Sequence, residues 1–264
     1  MDYTINIRGQ LFDLTEPKVM GILNITPDSF YAGSRTQTEQ EVTARVRQMV
    51  AEGARIIDVG ACSTRPGSEP IDTDEEMRRL RIALAAVRSE APDIPLSVDT
   101  FRADVARMAV EEYGADIVND VGEGDPTMLR MVSRLRVPYI LMSAKPTLRE
   151  MLLTFAEEVQ LLRDFGQKDI ILDPGFGFGK TVEQNYALLA ELERLQVMEL
   201  PLLVGLSRKS MIYKPLDITP GEALNGTTAL HTVALMKGAS ILRVHDVKEA
   251  VQAVRLHGLL RGLS

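Results

Sequence analysis

The stretch ARIIDVGACSTRPGSEPIDTDEEMRRLRIALAAVRSEAPDIPLSVDT, residues 54–100, decides how the chain is read. It opens on an apolar run at 54–60, crosses a loop rich in Gly, Pro and Ser, and enters an amphipathic segment at 74–90. It closes on a second apolar run, 95–99, whose last residue is Asp99. Near-continuous Val, Ile and Leu is the signature of parallel strands covered on both faces, and the helical periodicity between the runs supplies the cover. The stretch is therefore a βαβ unit, and both of its strands carry an aspartate near the end, Asp58 and Asp99.

The unit recurs along the chain. Strands are predicted at 18–24, 54–60, 95–99, 116–120, 137–142, 169–173, 202–207 and 240–246. They break off at Asn24, Asp58, Asp99, Asn119, Ser143, Asp173, Ser207 and around Arg243-His245. Desolvating an unpaired neutral polar group costs about 2–7 kcal/mol, so a strand gains nothing from such a tip unless the tip has work to do. Eight of them imply a ring of functional groups at the C-terminal face of an α/β (β/α)8 TIM barrel. A doubly wound open sheet would share the local pattern. Eight strands, preceded by a hairpin over 3–14 that turns at Arg8-Gly9-Gln10 and covers the bottom, favour the barrel. Thr36-x-x-Glu39, Thr73-x-x-Glu76 and Thr219-Pro-Gly-Glu222 match capping boxes at helix starts. No linker or low-complexity segment interrupts the pattern, so 1–264 reads as a single domain.

Bulk properties narrow the function. The 264 residues are 45% hydrophobic and 25% charged with a net charge of −7, an ordinary globular composition that argues against a nucleic-acid-binding surface. The one cysteine, Cys62, excludes an intrachain disulfide and a multi-cysteine zinc site and suits a reducing cytoplasm. MDYTINIRGQLFDL at the start has no signal-peptide core, and no run approaches the roughly 20 apolar residues of a membrane helix.

Asp99, Asn119 and Asp173, with Asp58, would converge on one mouth. Each could simply cap the next helix, but four together suit a planar heterocycle rich in N–H donors, because a carboxylate accepts parallel hydrogen bonds from a ring N–H and an adjacent amine. Thr64 and Arg65 in STRPGSEP, and Arg208, Lys209, Arg243 and His245 in GLSRKS and RVHD, offer cations and donors where barrels commonly bind phosphate. DPGFGFGKT (173–181) resembles a phosphate loop but has Pro174 where the first glycine is required, so its glycines are read as letting the backbone bend close to a ligand, with Phe178 as an apolar wall. His231 and His257 fall in helical patterns and are read as structural or surface groups, and Cys62 as a small loop residue rather than a nucleophile.

MGILNITPDSF, DVGACSTRPGSEP, SVDT, IVNDV, LDPGFGFGK, GLSRKS and RVHDV occur, in this order, between Met20 and Val247. In these motifs the chain resembles the dihydropteroate synthase family. The resemblance implies that p-aminobenzoate is joined to the diphosphate ester of 6-hydroxymethyl-7,8-dihydropterin, releasing diphosphate. It implies a pterin site at Asp99, Asn119, Met142, Asp173, Phe178 and Lys209, with Asp58 as its support or acid–base partner. It implies a diphosphate site at Asn24, Thr64, Arg65, Arg243 and His245, with Mg2+ as cofactor reached by Asn24. Thr64, Pro66, Phe178, Lys209 and Ser210 would form the aminobenzoate pocket, and loops 24–35 and 61–70 would complete it. Asp99, Lys209, Arg243, His245 and Asp58 would carry the chemistry, and a homodimer is implied.

Two departures stand out. Cys62 occupies a position that is polar in many members, and the loop after the fifth strand, Ser143-Ala144-Lys145-Pro146, is shortened. A pterin-dependent methyltransferase domain and an inactive pterin-binding paralogue remain as alternatives.

Overall fold

Arg8 and Gly9 both have positive φ, 53° and 79°, as a two-residue hairpin turn of the I′ class requires. They join β1 (Thr4–Ile7) to β2 (Gln10–Asp13), which pair antiparallel with Ile7 opposite Gln10. Gln10 thus belongs to the strand and not to the turn. The computed structural model describes residues 3–25, 35–62 and 71–262.

After the hairpin come β3 (Lys18–Asn24), β4 (Ile56–Gly60), β5 (Leu96–Asp99), β6 (Ile117–Asp120), β7 (Tyr139–Met142), β8 (Ile170–Asp173), β9 (Leu202–Val204) and β10 (Ala239–Val244). They close a parallel barrel in sequence order, with β10 returning to pair with β3. Between them run α1 (Arg35–Glu52), α2 (Thr73–Glu90), α3 (Ala103–Tyr113), α4 (Pro126–Leu135), α5 (Leu148–Asp164), α6 (Val182–Ala190), the short α7 (Ser210–Tyr213) and α8 (Leu224–Met236), and α9 (Val247–Leu260) follows β10. No helix among the described residues is long and apolar enough to cross a membrane.

Alternation along each strand divides the molecule into two cores. Outward residues such as Ile57, Val59, Val98 and Leu172 join the helix faces. Inward residues Met20, Ile56, Ile117, Ile140, Ile171, Leu203 and Ile241, from seven strands, form one layer with Ile5, Ile7 and Leu14 of the hairpin segment. The hairpin therefore plugs the bottom. Side chains two residues further on share the inward face. There the apolar layer gives way to Asp58, Ser97, Asn119, Asp173 and Arg243, all on strands and all buried or nearly so.

Asp116 locks the plug in place. It accepts from Arg8 Nε at 2.7 Å and Nη2 at 2.8 Å, from Arg88 Nη2 at 3.1 Å and from Leu96 N–H at 2.8 Å. Burial pushes its pKa up, but the bonds from Arg8, Leu96 and Arg88 outweigh that and hold it low. A depressed carboxylate stabilises the fold above its unfolded pKa, near 4, and that contribution is lost as pH falls through the folded value.

Helix starts differ in detail from expectation. Asp72, not Thr73, caps α2, its carboxylate accepting Glu75 N–H at 2.8 Å, and Glu76 is buried elsewhere. α1 begins at Arg35, so Thr36 lies inside it. The Thr219–Glu222 box exists but opens a 3-10 turn, Pro220–Glu222. A box that went unanticipated, Thr181 with Gln184, starts α6. Strand ends also shift: β9 stops at Val204, leaving Ser207 in the loop, and Ser143 and His245 lie just past β7 and β10.

Ile5→Ala removes a nearly inaccessible side chain from the bottom layer, and the expected loss is about 2–4 kcal/mol of stability. Because the polar layer is at the other end, turnover per folded molecule should stay within about twofold. Denaturant melts and activity at low temperature measure both.

Candidate active site

Arg243 organises the upper layer of the barrel. It rises from β10 two residues after Ile241, and its Nε donates to Asp58 Oδ2 at 2.6 Å while Nη2 donates to Asp99 Oδ2 at 2.5 Å. Burial disfavours its charge, yet Asp58 and Asp99 more than compensate and its pKa is raised. Asn119 Nδ2 donates to the same Asp58 oxygen at 3.0 Å. Burial raises the pKa of Asp99, against the opposing pull of Arg243. Asp58, Asp99, Asn119 and Arg243 thus form one bonded cluster from β4, β5, β6 and β10.

Asn24 stands at its rim. A Cβ built on Gly60 would lie 3.4 Å from both Asn24 Oδ1 and Asp99 Oδ2, so the glycine lets these two groups face each other across β4. Asn24 is exposed, unlike the cluster below it.

Lys209 and Asp173 define the opposite wall. Lys209 Nζ donates to Phe176 O and sits 4.6 Å above the Phe178 ring centroid. Burial lowers its pKa to about 8 despite Asp173 nearby. Asp173 accepts Gly175 N–H at 2.8 Å, and burial raises its pKa against the field of Lys209. Gly205, where a Cβ would meet Arg243 Cβ at 3.8 Å and Lys209 Nζ at 4.0 Å, lies between the two cationic side chains and leaves room for both. Met142, buried at the end of β7, lies against Gly175, and Ser210 begins α7 beside Lys209.

The glycines of 173–181 do allow close approach, but to protein. A Cβ on Gly175, at φ 60°, would meet Ser143 O at 2.5 Å and Met142 Sδ at 2.6 Å, and one on Gly177 would meet Lys209 Cδ at 3.0 Å.

Arg208 does not serve as a free cation for an anion. Its Nε and Nη2 donate to both oxygens of Asp246 at 2.8 Å, and Nη1 donates to Pro220 O at 2.9 Å and Gly221 O at 2.5 Å. Those bonds hold Arg208 at φ 54°, a strained backbone for a side-chain-bearing residue, which turns the chain so that Lys209 enters the mouth. Ser207 Oγ accepts His245 N–H at 3.2 Å, while Arg45 of α1 donates to His245 O at 2.7 Å. Of the structural and surface roles left open for His231 and His257, burial in α8 and α9 selects the structural one, and it lowers the His231 pKa to about 4. Thr64, Arg65 and Pro66, with most of loops 24–35 and 61–70, lie outside the described residues.

Sequence reasoning missed Arg45, Ser97 and Lys180. Ser97 was legible, since it shares the inward face with Asp99 two residues on; Arg45 is one of many helical arginines and carried no signal. Lys180 was visible only as part of the failed phosphate-loop motif.

The chemistry of the pocket is distinctive. Asp58 Oδ1, Ser97 Oγ and Asn119 Oδ1 are buried without protein partners, and two of these three atoms can only accept. Three aspartates, Asp58, Asp99 and Asp173, face two cations, so the interior favours a ligand edge that donates hydrogen bonds or carries positive charge.

Known proteins share the sequence pattern and the fold. The family model described as pterin binding enzyme matches residues 20–245. The dihydropteroate synthase of Escherichia coli strain K12 is 38% identical, over 94% of this chain and 93% of its own. A structure of the Xanthomonas albilineans dihydropteroate synthase with 4-aminobenzoic acid superimposes with a TM-score of 0.92 at 35% identity, covering 100% of both chains. The same organism's enzyme in complex with 7,8-dihydropteroate gives 0.89 at 34% identity, over 99% of this chain and 100% of that one. With its barrel, its acceptor-rich floor and these relatives along nearly its whole length, the chain belongs to the dihydropteroate synthase family of pterin binding enzymes.

Proposed function

We propose that the chain is a dihydropteroate synthase, joining (7,8-dihydropterin-6-yl)methyl diphosphate to 4-aminobenzoate to give 7,8-dihydropteroate and diphosphate. The observation that carries the reading is the acceptor-rich floor: buried Asp58 Oδ1 and Asn119 Oδ1 have no protein partner and Asp173 stands across the mouth. A dihydropterin presents ring N–H and exocyclic amine donors along one edge, which such a floor binds and water-filled apolar pockets do not. Asp99, Asn119, Met142, Asp173, Phe178 and Lys209 are read as the pterin site, and Asp58 as its support.

The mechanism follows from charge. When the C–O bond to diphosphate breaks, the electron pair leaves with the diphosphate and the pterin methylene becomes cationic. The carboxylates of Asp99 and Asp173 favour that cation electrostatically, and fixed charges act without reorganisation at the moment of reaction. The amine of 4-aminobenzoate then attacks the methylene carbon and loses a proton, so no residue forms a covalent bond to substrate. Two N–H groups of Arg243 are committed to Asp58 and Asp99, and the guanidinium's remaining donors are read as facing the departing diphosphate, with His245, Thr64 and Arg65. Thr64, Pro66, Phe178, Lys209 and Ser210 are read as the aminobenzoate pocket.

Magnesium suits this site as a companion of the diphosphate. Among the described residues no group of three His, Cys, Asp or Glu could hold a metal. Asn24 Oδ1 at the rim is instead the single hard oxygen donor expected for an ion that keeps most of its ligands from water and phosphate. When bound there, Mg2+ supplies positive charge to the leaving group.

We read residues 1–264 as one such domain in a reducing cytoplasm, Cys62 having no second cysteine to pair with. A homodimer through α8 and α9 is the expected assembly, because Met236, Leu256, Leu259 and Leu260 are 64–77% exposed on these two packed helices. Sedimentation should give a dimer, and Met236→Glu with Leu259→Glu should give a monomer; a wild-type monomer at micromolar concentration sinks the assignment.

Supplied with Mg2+, the dihydropterin diphosphate and 4-aminobenzoate, the protein should release diphosphate and form dihydropteroate in equal amounts. Well-folded protein without turnover would remove the reading in favour of a pterin-binding paralogue, and methyl transfer instead would identify a methyltransferase. Asp99→Ala and Lys209→Ala should each lower kcat/KM by about 10²–10³-fold with the fold intact. The Lys209 ammonium is lost as pH rises through about 8, so activity should fall on that side, and the limb should vanish in Lys209→Ala. On the acid side, Asp99 should protonate above the ordinary carboxylate range, and Asp99→Asn should abolish that limb.

A further inference from the structure

Lys180 lies outside every site described above, yet all three donors of its ammonium are spent on backbone carbonyls. Nζ donates to Ser143 O at 3.1 Å, Gly175 O at 3.1 Å and Phe178 O at 3.3 Å. Ser143 follows β7, whereas Gly175 and Phe178 follow β8, so one side chain ties two loops of the mouth together. The tie is made where the loops come closest, since a Cβ on Gly175 would meet Ser143 O at 2.5 Å. Carbonyl oxygens brought together there repel one another, and a cation between them removes that repulsion.

The stapled loop is the one that receives Lys209. Phe176 O accepts from Lys209 Nζ, the Phe178 ring lies beneath that ammonium, and Gly177 borders its stem. Asn185 adds a second hold on the same loop, with Gly177 N–H donating to Asn185 Oδ1 at 2.7 Å and Asn185 Nδ2 to Thr181 O at 2.6 Å.

We propose that Lys180 is a positioning residue for pterin recognition: by stapling the loops after β7 and β8 it sets where the Lys209 ammonium stands relative to Asp173 and the pterin ring. It touches no substrate and acts through Lys209, so its removal misplaces a donor. Misplacement by about an ångström at a reacting site costs on the order of 10²-fold. The inference rests on the synthase reading for the identity of the ligand.

A double-mutant cycle on the full-length protein tests it, with 7,8-dihydropteroate as the calorimetric probe and melting temperature as the check on folding. Lys180→Met should weaken binding at least tenfold in the wild-type background and by less than about twofold in the Lys209→Ala background, because a residue acting through another is not additive with it. Equal losses in both backgrounds, or unchanged binding in Lys180→Met, overturn the proposal. A structural role alone lowers the melting temperature and leaves the affinity of the folded protein unaltered, which also overturns it. If the Met variant does not fold, Lys180→Gln, which keeps two N–H donors, is read through the same cycle. A wild-type chain that fails to bind 7,8-dihydropteroate instead overturns the synthase reading, so the two failures are distinct.

Discussion

The charge of Arg243 inside the barrel is the constraint on which the upper half of the structure depends. A guanidinium enclosed by strands is tolerated only if it is paired, since uncompensated burial of an ion costs several kcal/mol even after relaxation. Asp58 and Asp99 supply that pairing at 2.6 and 2.5 Å, and Asn119 completes it through Asp58. Four strands are tied at their C-terminal ends by one network, and removing Arg243, Asp58 or Asp99 leaves one of its charged or amide partners without that bond. In the proposed reaction the same bonds would prepare the site, since they fix the aspartates in place and leave their charge available to a developing cation.

The lower half obeys a simpler rule. An inward layer of Ile, Leu and Met from seven strands meets the apolar face of the hairpin, and Asp116 with its two arginines fastens that plug from outside. Stability and chemistry are thereby segregated along the barrel axis, apolar packing below and ionic pairing above. Loops above the polar layer are held by arginine and lysine side chains gripping backbone carbonyls. Arg45 holds His245, Arg208 holds the Pro220-Gly221 turn, and Lys180 holds the walls around Lys209. In this mouth several cations are spent on the chain's own carbonyls.

Much of this was legible in the strands. Ile56 then Asp58, Ile117 then Asn119, Ile171 then Asp173 and Ile241 then Arg243 step from apolar to polar at a spacing of two, which places each pair on one inward face. That rhythm gives the barrel, its floor and its mouth. The errors came where a residue's task depends on a distant partner. Arg208 has the composition of an anion ligand, but Asp246 claims it; Thr73 has the spacing of a cap, but Asp72 takes the role. Ser207 holds the His245 backbone from 38 residues away, a task with no local signal.

The sequence by itself determined the periodicities, and with them the strand order, the inward faces and the set of polar groups gathered at one end. The motifs fixed the family. Only the tertiary structure decided which charge neutralises which, because hydrogen bonds between Arg243 and Asp58, 185 residues apart, leave no local trace in the chain. It decided too which cations remain available to a ligand, since a lysine spent on three carbonyls and a lysine poised over an aromatic ring are the same letter in sequence.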